Sequence, residues 1–363
     1  MPDTATAAAP RVGETNKAPR IRGLLSPVVT PFKPDLGVDA DRLVRHCRWL
    51  VSQNCGLAVF GTNSEANSLS LEERLDLLET LIAAKIDPKV MMPGTGCSAL
   101  PDSVRLTRRA VELGVAGVLM LPPFYYKGVS DEGLFRNFAE VIERVGDARL
   151  RIYLYHIPPV SQVPISLALI ERLLKAYPGT VAGVKDSSGE WKNTEAMLKA
   201  FPGIFDVFAG AETFLLANMR GGGAGCISAT ANINPAAIAA LYAHWRDEDA
   251  EARQEKLNDL RFAMQKFPMI PALKHTVARF GGDPAWKCVR PPLVALSPEQ
   301  GAALDAEHDK RGFTMPGWKA WARATAPSAL PVPRSRARCS GRGRGRHSPA
   351  AGARSAPTAI SAR

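Results

Sequence analysis

The chain has 363 residues, enough for one large domain or two of average size, and 46% hydrophobic residues support a sizeable core. The formal net charge is +11, but residues 318–363 hold nine arginines, one lysine and no acidic residue. The excess therefore belongs to that end, and the rest of the chain is close to neutral, which excludes a basic body built for nucleic acid.

No apolar run approaches the length of a membrane span, and residues 1–20 lack a secretory apolar core. Those residues read as a disordered leader. The cysteines, Cys47, Cys55, Cys97, Cys226, Cys288 and Cys339, form no CxxC pair, and the six histidines form no HxH or HxxxH pair. Neither a local metal motif nor a disulfide scaffold is indicated, so no metal is expected and a cytoplasmic protein with reduced thiols is the simplest expectation.

From residue 21 to about 248, short apolar runs alternate with amphipathic segments. The runs lie at 24–30, 56–60, 89–93, 116–121, 150–156, 180–185, 205–209 and 223–228. Helical patterns cover 39–53, 71–85, 101–113, 131–145 and 167–176. Ser70 with Glu73 reads as a capping box, Asp39, Ser130 and Ser166 as N-caps, and Pro101 and Pro235 as first-turn prolines. Eight strand–helix units spaced by about 30 residues predict a (β/α)8 TIM barrel with parallel strands buried on both faces. A doubly wound sheet is the competitor, but no GxGxxG follows the first strand. Three further helical patterns, at 250–266, 271–280 and 298–311, form a C-terminal helical appendage over 249–317. From residue 318 the composition turns to Arg, Ser, Ala, Pro and Gly, and the expectation is a disordered tail through 363.

The segment at 180–189, TVAGVKDSSG, carries the clearest chemistry. It sets Lys185 at the end of a buried strand, where poor solvation disfavours the ammonium and makes a neutral, nucleophilic amine accessible for Schiff-base formation. The same position also suits a lysine that snorkels to the surface. Reactive groups of a (β/α)8 barrel sit at the C-terminal strand ends and the loops beyond them. That places Thr62 and Asn63, the 122–128 loop, Tyr155 and His156, Lys185 and Ile227 at one mouth. Cys97 and His156 have no role there that outweighs packing.

Six segments in this order, SPVVTPF at 26–32, GTNSEA at 61–66, PPFYYKG at 122–128, YHIPP at 155–159, GVKDSSG at 183–189 and GCISATAN at 225–232, resemble the pyruvate-dependent lyase family of dihydrodipicolinate synthase and N-acetylneuraminate lyase. The resemblance spans about residues 23–317. It implies that Lys185 forms an iminium with a 2-oxo acid, that Tyr155 moves protons, and that Thr62 links it to Tyr126, which reaches into a neighbouring subunit. It also implies that Thr62 and Asn63 hold the substrate carboxylate and that Ile227 packs against the adduct. No cofactor is needed beyond the covalent lysine adduct. The partners implied are a small 2-oxo acid and an aldehyde, with assembly as a dimer or tetramer.

Two departures bear on the substrate. Dihydrodipicolinate synthases carry Thr-Thr where this chain has Thr62-Asn63, and an arginine where it has Val160. Losing a bidentate carboxylate anchor costs several kcal/mol of recognition, at about 1.5–3 kcal/mol per charge-assisted hydrogen bond. The motifs are most similar to those of 4-hydroxy-2-oxoglutarate aldolases, with Lys127 either meeting a second carboxylate or standing as a solvated loop lysine. Aldol cleavage or formation with a 4-hydroxy-2-oxo acid is the first reading, and condensation of pyruvate with aspartate semialdehyde the alternative. The non-enzymatic alternative is RNA or DNA binding through the basic tail, although no aromatic residue follows Trp321 to stack on a base.

Overall fold

The computed structural model describes residues 19–323. Its seven strands are β1 (Gly23–Ser26), β2 (Gly56–Leu57), β3 (Val118–Met120), β4 (Ile152–His156), β5 (Val181–Asp186), β6 (Asp206–Ala209) and β7 (Gly225–Ile227). They form one parallel sheet in the order β2-β1-β7-β6-β5-β4-β3.

The apolar run at 89–93 is the one expected strand that does not form. Pro88–Val90 is a 3-10 turn begun by Asp87, and Pro93 has no N–H to give a ladder. Residues 91–95 nevertheless hydrogen-bond to both edges of the sheet. Met92 N donates to Leu57 O (2.8 Å) and Gly94 N to Val59 O (2.8 Å), while Leu119 N donates to Pro93 O (2.9 Å). Gly94 allows the fit, since a Cβ there would stand 2.1 Å from Phe60 O.

The strands bury both faces. Leu25, Tyr153, Tyr155, Phe208 and Ile227 belong to an inner apolar cluster, and a second, larger one joins the sheet to its surrounding helices. Tyr153 lies wholly buried below Tyr155, edge-on to Phe208 at 5.7 Å. Its ring leaves no room for a side chain at Gly183, where a Cβ would meet it at 2.8 Å.

The expected helices begin where their caps lie. Ala40–Ser52 follows Asp39, Asp131–Val145 follows Ser130 and Leu167–Ala176 follows Ser166, each cap side chain accepting a first-turn N–H. Ser70 and Glu73 form a full capping box before Leu71–Ala83. In the C-terminal part the helices are Ala250–Met264, Met269–Gly281 and Pro298–Lys310.

The expectation of a disordered tail from residue 318 fails over its first residues. Trp318–Arg323 is a helix whose Trp318 is fully buried. Its indole N–H donates to Val277 O (2.9 Å), and its ring packs on His46, Trp49 and Trp286 at 5.1–5.9 Å. An aromatic anchor placed just before a composition change was hidden by that change. The rest of the predicted tail and residues 1–18 of the predicted leader lie outside the described residues, while its last two are held in place, Pro19 O accepting from Arg151 (2.9 Å) and Arg20 donating to Ile204 O (3.0 Å). Among the described residues no helix is long and apolar enough to cross a membrane.

Candidate active site

Strand register builds the core of the site. Tyr155 on β4 is paired directly with Lys185 on β5, so both side chains leave the same face of the sheet at its C-terminal edge. Lys185 Nζ donates to Tyr155 Oη (3.1 Å) and lies 4.2 Å from the centre of that ring. Lys185 is only 3% exposed, and no carboxylate among the described residues is ion-paired with it. Snorkelling is thereby excluded. The amine sits in a closed, largely apolar place with a phenol as its hydrogen-bond partner.

Thr62 reaches the same phenol from the turn after β2, with Thr62 Oγ1 3.2 Å from Tyr155 Oη. Either hydroxyl can donate in that contact. The three groups form a continuous chain of hydrogen bonds. The turn itself is tied by Ser64 N to Gly61 O (3.1 Å) and Glu65 N to Thr62 O (3.1 Å). Neither the Thr62 nor the Asn63 N–H finds an acceptor among the described residues, and both stand just ahead of the short 3-10 helix Ala66–Ser68. Free peptide donors at such a position suit an anion. A small cavity of about 10 Å³ opens between this turn, Gly94, Leu121 and Tyr155.

Alternation separates reacting groups from supporting ones. His156 and Asp186, each one residue beyond a site residue, are also paired in register and leave the opposite face. His156 Nδ1 accepts from Ile165 N (3.0 Å), and burial lowers its pKa despite the nearby Asp186. It is a neutral packing residue. Asp186 accepts from Ser188 N (3.0 Å) and from Thr194 Oγ1 (2.6 Å), which fixes the turn leaving β5.

Ile227 ends β7 in the inner cluster. The loops beyond it are gathered by groups that the sequence reading missed. Glu212, buried in the loop after β6, accepts from Ser228 Oγ and Thr230 Oγ1, and Arg261 lies 3.5 Å from it. Asn232 joins the same loop to the exit of β1 through Val29 N (3.0 Å) and Pro27 O (3.1 Å).

The 122–128 loop stands apart from this cluster. Tyr126 is 71% exposed and packs edge-on against Tyr125, so within one chain it does not join Thr62. Lys127 is not a freely solvated side chain. Its Nζ donates to Phe124 O and to Ser161 O (2.8 Å), although the residue itself is exposed. The thiol of Cys97 receives a hydrogen bond from Arg74 (3.2 Å). Among the described residues no group of three or more His, Cys, Asp or Glu side chains could hold a metal ion.

Comparison with known proteins shows the family. Residues 20–309 match the dihydrodipicolinate synthetase family. An uncharacterized DapA-like lyase of Chloroflexus aurantiacus is 34% identical over 292 residues, covering 80% of this chain and 96% of that protein. A 4-hydroxy-tetrahydrodipicolinate synthase of Rhizobium meliloti is 32% identical over 295 residues, covering 78% and 96%. The crystal structure of a dihydrodipicolinate synthase from Agrobacterium tumefaciens superposes with a TM-score of 0.74 at 37% identity, covering 79% of this chain and 98% of that one.

The chain belongs to the dihydrodipicolinate synthetase family. It is an enzyme of the pyruvate-dependent class I aldolase and lyase type.

Proposed function

We propose that this chain makes or breaks a carbon–carbon bond between pyruvate and an aldehyde through a Schiff base on Lys185, with a 4-hydroxy-2-oxo acid as the cleaved form. The observation that carries the reading is the buried Lys185–Tyr155–Thr62 chain of hydrogen bonds. The Lys185 amine adds to C2 of the 2-oxo acid, and loss of water from the carbinolamine gives an iminium. Tyr155 takes and returns the protons, with Thr62 as the next member of the path. Removal of the C4 hydroxyl proton breaks the C3–C4 bond, the electron pair moves into the iminium, and the aldehyde leaves. The enamine is then protonated at C3 and hydrolysed to pyruvate and free Lys185. The Thr62 and Asn63 N–H groups hold the C1 carboxylate, and Ile227 packs on the C3 side.

Lys127 supports the substrate class. Its ammonium binds the carbonyl of Ser161, the chain neighbour of Val160, where an arginine would serve aspartate semialdehyde, and it has one N–H left for a second carboxylate. Lys127→Ala should lower the preference for dicarboxylic over neutral 4-hydroxy-2-oxo acids. Unchanged preference removes Lys127 from the site. The alternative, 4-hydroxy-tetrahydrodipicolinate synthesis, is favoured instead if aspartate semialdehyde is consumed faster than any 4-hydroxy-2-oxo acid is cleaved.

The decisive experiment is borohydride reduction in the presence of pyruvate, followed by mass mapping. A stable adduct on Lys185, absent in Lys185→Ala, is expected. An unmodified chain, or modification elsewhere, overturns the reading.

Residues 91–95 would act as an eighth stave that closes the sheet into a (β/α)8 barrel. Exposed Tyr126 would complete the site of a second subunit in a dimer or tetramer. Its test is sedimentation together with Tyr126→Phe. A fully active monomer contradicts it.

A further inference from the structure

The turn that carries Thr62 and Asn63 ends in a buried ion pair whose cation comes from the C-terminal helices. Glu65 has a left-handed backbone (φ 55°), a conformation that costs a non-glycine residue about 1 kcal/mol or more. Its own N–H is bound to Thr62 O (3.1 Å), so the shape of Glu65 and the placement of Thr62 are linked.

The Glu65 carboxylate is fully buried. One oxygen pairs with Lys274 Nζ, from helix Met269–Gly281, and the other accepts from Arg290 N (3.1 Å). Lys274 is equally buried. It donates to Cys288 O (2.9 Å) and lies 4.4 Å from the centre of the Phe32 ring. Arg290 adds a second clamp on the same turn, donating to Ser68 O (2.7 Å) while pairing with Glu73 (2.5 Å).

A buried pair of this kind gains little over apolar side chains of the same volume, because desolvating both charges offsets their attraction. What it supplies is direction, since an ion pair with fixed hydrogen bonds tolerates one arrangement. Here the arrangement is that of the turn holding the Thr62 hydroxyl and the two unpartnered N–H groups.

We propose that Glu65 and Lys274 are positioning residues for the 2-oxo acid site, holding the 61–65 turn against helix Met269–Gly281 so that Thr62 stays on Tyr155 and the Thr62 and Asn63 N–H groups face the substrate carboxylate. This rests on the functional reading above. It makes the C-terminal helices part of substrate recognition without any of their side chains touching substrate.

The test is the double variant Glu65→Gln/Lys274→Met, which removes both charges with little change in volume. Its crystal structure should show Thr62 Oγ1 displaced from its contact with Tyr155. Half-maximal borohydride trapping at Lys185 should need about tenfold more pyruvate, the change that a modest loss of binding free energy gives, while trapping at saturation stays complete. A folded double variant with the native contact and the native pyruvate dependence overturns the proposal. If the native chain is not trapped by pyruvate at all, the functional reading falls, and the crystal structure alone still decides whether the pair holds the turn. Should the double variant fail to fold, Glu65→Asp takes the same two readouts with the same criteria, because it keeps the charge and shortens the arm by one methylene.

Discussion

Tyr155 is the residue on which the proposed chemistry turns, because its hydroxyl alone touches both the amine and Thr62. Tyr155→Phe keeps the ring under Lys185 but breaks the proton path. Turnover should fall by about 10²- to 10⁴-fold, the usual worth of a placed acid–base group. Pyruvate trapping at long times should persist. Steady-state assays and timed reduction measure the two, and an undiminished rate would remove Tyr155 from the mechanism. Lys185 was legible in the sequence, since a polar residue closing an apolar run betrays itself locally, whereas Tyr155 stood out through the family motif YHIPP. Glu65, Lys274, Glu212 and Arg261 were not. Each is an ordinary charged residue in its own neighbourhood, and only folding brings its partner from a remote part of the chain.

At the scale of the element, helix starts were read most reliably where a side chain does the capping. Ser70 is the clearest, and Ser70→Ala should cost about 1 kcal/mol. Urea unfolding measures this, and no change would mean that Glu73, held by Arg290, keeps the turn unaided. The helices Trp191–Ala200 and Leu215–Arg220 start without a side-chain cap, and Pro235–Ala243 is too uniformly apolar to show a face. The first two were therefore silent, and the third announced only its start, through Pro235. The run at 89–93 misled for the opposite reason, because apolar content predicts burial while prolines decide whether a ladder can form.

Across the whole molecule, two buried histidines tie stability to acidity. Burial holds the pKa of both His46 and His308 at about 4. In the unfolded chain each returns to its ordinary value near 6.5. Between these values the unfolded state binds the additional protons, so stability is complete above pH 6.5 and drains as pH falls toward 4. The loss should be on the order of a few kcal/mol in total. Urea midpoints at pH 7.5 and 5 test it, and equal midpoints would contradict it. The aromatic cluster around His46 should be as sensitive to cavities. Trp318→Ala should cost about 3–5 kcal/mol, measured the same way, and a cost below 1 kcal/mol would mean that helix Trp318–Arg323 is dispensable.

The placement of Lys127 has a practical reach. Its anchors are the carbonyls of Phe124 and Ser161, outside the sheet, whereas the amine and phenol are set by neighbouring backbone rungs. On the proposed function, selectivity for the incoming aldehyde and activation of the ketone would reside in separately mutable parts. Libraries confined to 122–128 and 158–161 should redirect the product spectrum while every clone still forms its covalent intermediate at a native pace.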